Sequence, residues 1–389
     1  MATFTLTPKA VNWLGDPCWI EVEETTLING AGEPQQDNLS AYFEIKQGGQ
    51  FLCEFMAPYD LATRKADLDL SGLAVCYPEP PADGSMGTAS SGILDHPAVF
   101  INIEHKNMYG TPASKQAPGL SIGSYTMIYG STPYWWGIGA SGKDVLLHSY
   151  HTMDGFVAIK EIRKNQPEYI YIYSHNGASV TIDVELLYMD NTSDNVSLGT
   201  VAMGTRKVAW INVGWNARSM DTHVDPAKDL NSYVVRVTLN GTVHTISYQL
   251  DDHDTEYDQY LMYENGIGGC EVIRCSGRHQ IGVKGKKDEI NYARVRGRSF
   301  REGFRLYENA RGAEVWKMNT GYQNRHYIRH LQQLFLASHV WYIDMIRETF
   351  HSVTIMESEA TLVDMQEDLQ SFEFTMVFDD RPSLNTFNI

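Results

Sequence analysis

The sequence predicts a mainly β protein: tandem antiparallel β-sandwich domains, then a mixed α+β C-terminal domain with one clear amphipathic helix. Three observations predict it. Apolar residues recur with period two along much of the chain, Asn-Gly pairs separate alternating runs, and only one segment has firm helical spacing. The 22 tyrosines agree, since aromatic side chains suit a pleated, half-buried surface.

Residues 1–165 read as an N-terminal sandwich interrupted by long loops at 78–92 and 110–119. PEPPADGSMGTASSG and GTPASKQAPG are too rich in Pro, Gly and Ser for regular structure, and the first is expected to be exposed. Residues 166–250 read as a second sandwich. VTIDVELLY places Val180, Ile182, Val184, Leu186 and Tyr188 on one face. Upstream, YIYIYSH runs into Asn176-Gly177, which predicts a tight antiparallel hairpin. SYVVRVTL, Asn240-Gly241 and TVHTISYQL predict a second hairpin, with Tyr233 opposite Tyr248 and Val235 opposite Ile246.

Residues 251–389 read as a mixed, hub-like domain. Tyr327, Ile328, Leu331, Leu334 and Phe335 recur at three- and four-residue steps, predicting a helix between Gly321 and Ser338. The strand-like VWYID follows. SFEFTMVF then places Phe372, Phe374, Met376 and Phe378 on one side.

A chain of 389 residues at a net charge of −17 has room for two or three cores and argues against nucleic acid or anionic lipid as a general partner. No apolar run approaches a membrane span, and the N-terminus lacks the basic start and apolar core of a secretory signal. The five cysteines suit a reducing compartment. Cys270 and Cys275 would point to opposite faces of a strand, so buried free thiols are expected.

Several short patterns imitate catalytic motifs without their context. GIGASGKDV (Gly137 to Val145) nearly matches a phosphate-binding loop. It has Asp144 where a magnesium-binding Ser or Thr belongs, and bulky aromatics lead into it. GLSIG around Ser121 matches a nucleophile elbow, but a strand-like run follows where the elbow needs a helix. His148, His151 and Asp154, or the pair His326 and His330, have metal-ligand chemistry. The second pair lacks an adjacent glutamate base and alternates with Arg325 and Arg329. Asp251, Asp252 and Asp254, with Glu256 and Asp258, offer oxygen ligands for calcium without the glycine-containing spacing of an EF-hand. No catalytic residue, metal or cofactor is assigned. Tyr134, Trp135 and Trp136 offer an aromatic surface for a sugar ring or a protein contact.

The most informative feature is a basic island. From Ile281 to Arg301, seven lysines and arginines stand against Asp288 and Glu289, a local balance of +5. It includes Lys284, Lys286 and Lys287, while Arg294, Arg296 and Arg298 alternate, so a strand would array their guanidinium groups on one side. Two readings stand: an edge strand defended by charge, or a dock for an acidic partner such as another copy of this chain. The acidic run Asp251, Asp252 and Asp254 is the matching candidate. Nucleic acid is disfavoured by the overall charge.

YLMYENGIGGCEVIRCSG (Tyr260 to Gly277) resembles an element in tail-region virion structural proteins of Bacteroidetes phages and prophages, where an aromatic-rich strand enters an Asn-x-x-Gly-Gly turn. NTGYQNRHYIRHLQQLFLASHVWYID (Asn319 to Asp344), the closing SFEFTMVF and QPEYIYIYSHNG (Gln166 to Gly177) are similar to other parts of that pattern. The resemblance implies a non-catalytic virion subunit of a tail or baseplate, made in the bacterial cytoplasm, whose partners are other virion subunits and copies of itself. The alternative is a β-sandwich adhesin binding a host-surface glycan through Tyr134, Trp135 and Trp136; a glycan-active enzyme is the third reading.

Overall fold

The computed structural model describes residues 2–6, 11–28, 31, 34–73, 76–116, 119–131, 144–148, 159–177, 179–251, 256–291, 305–324, 331, 333–356, 369–379 and 384–385. Their architecture is mainly β.

Sheet I has the order Ala2–Leu6, Trp19–Glu24, Lys65–Asp69. Sheet II has the order Val11–Trp13, Leu120–Ile128, Ala98–Tyr109, Ser40–Gln47, Gln50–Pro58, with Ser114–Lys115 paired to the Ala98–Tyr109 strand. Their inner faces share one core, in which Ile20 and Val22 meet Phe43, Ile45, Ile101 and Ile103. This is the first sandwich. Ser121 lies within a strand, so the strand–turn–helix of a nucleophile elbow is not formed there.

Sheet III has the order Asp144–Leu146, Tyr169–Ser174, Lys207–Asn212, Ser91–Leu94. Sheet IV has the order Ile159–Ile162, Thr242–Leu250, Leu230–Leu239, Val180–Tyr188, Ser193–Val201. Three of these nine strands come from before residue 166, so the sheets cross that position. Val180, Ile182, Val184, Leu186 and Tyr188 all enter the core between sheets III and IV. The second hairpin pairs Tyr233 with Tyr248 and Val235 with Ile246. Asn240 and Gly241 take φ of 46° and 82°, the positive angles a two-residue turn needs.

The expected Asn176-Gly177 hairpin is corrected. Tyr169–Ser174 and Val180–Tyr188 belong to different sheets, and the turn carries the chain from III to IV. The reason lies in YIYIYS, buried on both faces. Ile170 and Ile172 point to sheet IV, whereas Tyr169, Tyr171 and Tyr173 point the other way, into a third core. A strand with two apolar faces belongs in a middle layer, not in a two-sheet sandwich. Purely antiparallel pairing is corrected as well. Thr126–Ile128 runs parallel to Val11–Trp13, and Ile159–Ile162 runs parallel to Ser247–Leu250.

The layer beyond sheet III is sheet V. Its order is Cys270–Cys275, Gln259–Glu264, Val340–Asp344, Thr349–Ile355, Glu373–Phe378, Arg305–Asn319, Gln280–Asn291, with Leu384–Asn385 on the Arg305–Asn319 strand. Tyr260, Met262, Cys270 and Val272 face sheet III; Leu261, Tyr263, Ile273 and Cys275 face the opposite core. The two cysteines therefore do point apart, as buried free thiols. Phe372, Phe374, Met376 and Phe378 line the second core together.

The expected α+β domain is corrected too. Among the described residues of 251–389, helix is confined to 331 and 333–336, and Gln323–Asn324 is a strand; 325–330, with Tyr327 and Ile328, lie outside the described residues. Leu331 and Leu334 are buried in the same core as Phe372 and Phe374, so the described helical residues cover this end of the sheet. The 78–92 loop also departs from the expected exposure. Met86 and Ser85 are buried, the Asn212 Nδ2 donates to the Ser85, Met86 and Thr88 carbonyls, and 91–94 is a strand.

Candidate interaction surface

Sheet V carries a long hairpin, the arm, on its outer edge. Gln280–Asn291 pairs with Arg305–Asn319 from Gln280 opposite Lys317 to Asn291 opposite Arg305. The next strand, Glu373–Phe378, reaches only Val315 to Asn319, and Leu384–Asn385 adds contact at Arg311 and Gly312 alone. Among the described residues, only the part of the hairpin from residue 310 back to 305 has no third strand alongside, a stretch of roughly 20 Å at about 3.3 Å per residue.

The arm's outer strand has an unpaired edge among the described residues. Ile281 and Val283, on the same face, are 58% and 67% exposed, and Lys284 beside them is exposed. Lys286 and Lys287 lie farther along the same strand, Lys286 in register with Arg311. Arg294, Arg296 and Arg298 fall in the connection between the two arm strands, outside the described residues. Topology therefore places Lys284, Lys286 and Lys287 on the strand that closes the described edge of sheet V.

The acidic candidate has a different fate. The buried Arg274 guanidinium donates from Nε to Asp258 Oδ1 at 2.9 Å and from an Nη to Asp251 Oδ2 at 2.5 Å. Arg163 reaches Asp258 Oδ2 at 3.4 Å and donates to the Asp251 carbonyl at 2.9 Å. Burial opposes the Arg274 charge, but the two aspartates outweigh it and hold its pKa above the ordinary value. Asp251 and Asp258 thus tie the second sandwich to sheet V. Asp252 and Asp254 lie outside the described residues. Among those described, no three His, Cys, Asp or Glu side chains gather as a metal site. His148 is buried, whereas His151, Asp154, His326 and His330 lie outside the described residues. So do Tyr134, Trp135, Trp136 and most of the phosphate-loop look-alike. No helix among the described residues is long and apolar enough to cross a membrane.

Two buried polar groupings escape sequence reasoning. Lys160 Nζ lies 2.6 Å from Glu168 Oε1, both side chains almost wholly buried, and the Tyr248 hydroxyl donates to the same oxygen at 3.3 Å. In IKEI every second residue faces in, and these are Lys160 and Ile162; nothing local marks the lysine as one of them. The second grouping surrounds the Asn265-Gly-Ile-Gly-Gly turn. Asn265 Oδ1 accepts from the Ile267 and Gly269 N–H groups, while its Nδ2 donates to the Leu147 carbonyl and to Glu271. Ser131 N–H donates to the Gly266 carbonyl and the Trp13 indole to that of Ile267. A Cβ on Gly269 would lie 2.2 Å from the Leu147 carbonyl oxygen. The turn joins the first sandwich, sheet III and sheet V through backbone contacts that only glycine permits.

No family model matches the chain, and comparison with curated proteins finds no match.

Proposed function

We propose that this chain is a structural subunit of a tailed-phage virion, in the tail or baseplate, which works by binding other virion subunits and copies of itself. The observation that carries the reading is the basic hairpin that closes the described edge of sheet V. It bears a local charge of +5 on a chain of −17, so the remainder carries −22. A basic hairpin of this kind is drawn to the acidic surface of another copy, with strong salt dependence. The continuous stacking of sheets III, IV and V supports the reading further, because it braces the sheet that carries the hairpin. Sedimentation velocity at low and high salt tests it. The wild-type chain assembles at low salt and disperses as salt rises, and Arg296→Glu with Arg298→Glu prevents assembly. A double variant that assembles at low salt like the wild type overturns the mechanism.

A further inference from the structure

Three strands of nine or more residues close the described sheets as outer edges: Gln50–Pro58 in sheet II, Ser193–Val201 in sheet IV and Gln280–Asn291 in sheet V. Long edges with exposed apolar side chains invite pairing with another chain, and proteins usually blunt them. The Ser193–Val201 edge is blunted: Ser, Asn, Asp and Thr dominate it, and none of its apolar side chains is exposed. The other two carry charged residues as well, Glu54 on one and Lys284, Lys286 and Lys287 on the other, yet both leave large apolar side chains exposed. Gln50–Pro58 presents Phe51 and Met56 at 58% and 63% exposure, and Gln280–Asn291 presents Ile281 and Val283.

The two bare edges differ in charge. Lys284, Lys286 and Lys287 follow Val283 on the arm, whereas Glu54, half exposed, stands between Phe51 and Met56. Glu54 already meets Lys115, so it supplies orientation more than energy. The larger bias comes from the −22 outside the basic island. Like edges would bring two basic arms together; unlike edges place the arm of one copy against the acidic bulk of the next.

We propose that the outer edge of Gln280–Asn291 in one copy pairs with the outer edge of Gln50–Pro58 in a second copy, continuing sheet V of one into sheet II of the other. The proposal rests on the assembly reading above and names its interface. Backbone hydrogen bonds supply the attraction, and Ile281 and Val283 are covered together with Phe51 and Met56. Because the two edges are different strands of the same chain, the contact is heterologous. Each added copy leaves one edge of each kind open, so the product is a closed ring or an open filament.

The test uses two variants of the full chain, Ile281→Thr with Val283→Thr and Phe51→Thr with Met56→Thr. Threonine keeps β preference, and an unchanged urea midpoint verifies folding. Each variant alone requires at least tenfold more protein than the wild type to assemble at low salt. Mixed, they form a dimer and stop, since one retains an intact arm and the other an intact acceptor edge. Either variant assembling like the wild type, or a mixture that stays monomeric, overturns the edge pairing. Loss of assembly in the arm variant alone overturns it as well. In those cases salt-sensitive wild-type assembly leaves the broader reading standing. A wild-type chain monomeric at every salt concentration removes both.

Discussion

Replacing Asn265 by alanine tests whether the Asn-Gly-Ile-Gly-Gly turn is what holds the layers together. The wholly buried side chain makes four hydrogen bonds, of 2.9 to 3.1 Å, to Ile267, Gly269, Leu147 and Glu271. Alanine removes all four, and a buried group stripped of its partner costs about 1–3 kcal/mol. The turn can relax around some of these losses, so the expected destabilisation is about 4 kcal/mol, a large part of a typical folding free energy. Asn265→Asp separates the contributions. It keeps the acceptor for Ile267 and Gly269 but replaces two donated bonds with a carboxylate beside Glu271, so its defect shrinks as pH falls and one of the pair takes a proton. Urea unfolding followed by intrinsic fluorescence measures both variants. Limited proteolysis of Asn265→Ala should release sheet V from the two sandwiches before either sandwich is cut. A loss below about 1 kcal/mol for alanine would refute the reasoning.

Gly269→Ala should destabilise by about 3 kcal/mol in the same assay, because the obstructing atom is a backbone carbonyl and cannot swing aside. A neutral result would mean the two backbones do not approach so closely. His105 is buried in the first sandwich beside the Tyr59 hydroxyl, and burial pushes its pKa down to about 4 against a weaker opposing pull from Glu24. The unfolded chain, with an ordinary histidine near 6.5, therefore binds more protons between those values. The stabilising contribution is full above pH ~6.5 and is lost as pH falls through about 4, amounting to about 3 kcal/mol. His105→Gln should flatten stability across that window, and an unchanged slope would discard the assignment. A chromogenic thiol reagent should label only Cys53 quickly in the native chain. Cys18, Cys76 and Cys275 are buried with thiols raised to about 12, and Cys270, buried as well, is raised further, so these four should react only on unfolding.

Much of the fold is legible locally. The alternation of VTIDVELLY and the Asn240-Gly241 turn specify a face and a register by themselves, because a one-residue slip would turn every apolar side chain outward. The same logic misplaces YIYIYS. Its strand character is evident, but a Tyr face and an Ile face look alike whether the strand edges a hairpin or fills a middle layer. The chain after Asn176-Gly177 leaves for sheet IV because the Tyr169–Ser174 strand already has a neighbour on each side. The helical spacing of 327–335 is met only in part: 331 and 333–336 are helical, Gln323–Asn324 is a strand, and 327–330 lie outside the described residues.

The basic island was readable as composition from Ile281 to Arg301, and so was its edge-strand character. That its first half, up to Asn291, closes the described edge of sheet V depends on pairing with Arg305–Asn319, which no local pattern records. Asp251 shows the reverse. By sequence it belongs to an exposed acidic run, yet Arg274, 23 residues away, draws it into an internal pair.

By itself the sequence determined the β class, the core-facing positions of most strands, the free thiols and the charge asymmetry, all of which depend on neighbours within a few residues. Only the tertiary structure decided the stacking of sheets III, IV and V, the joining of three units at Asn265, and which edges stay bare. Those outcomes depend on which apolar face finds which partner across long stretches of chain, and burial is indifferent to sequence separation.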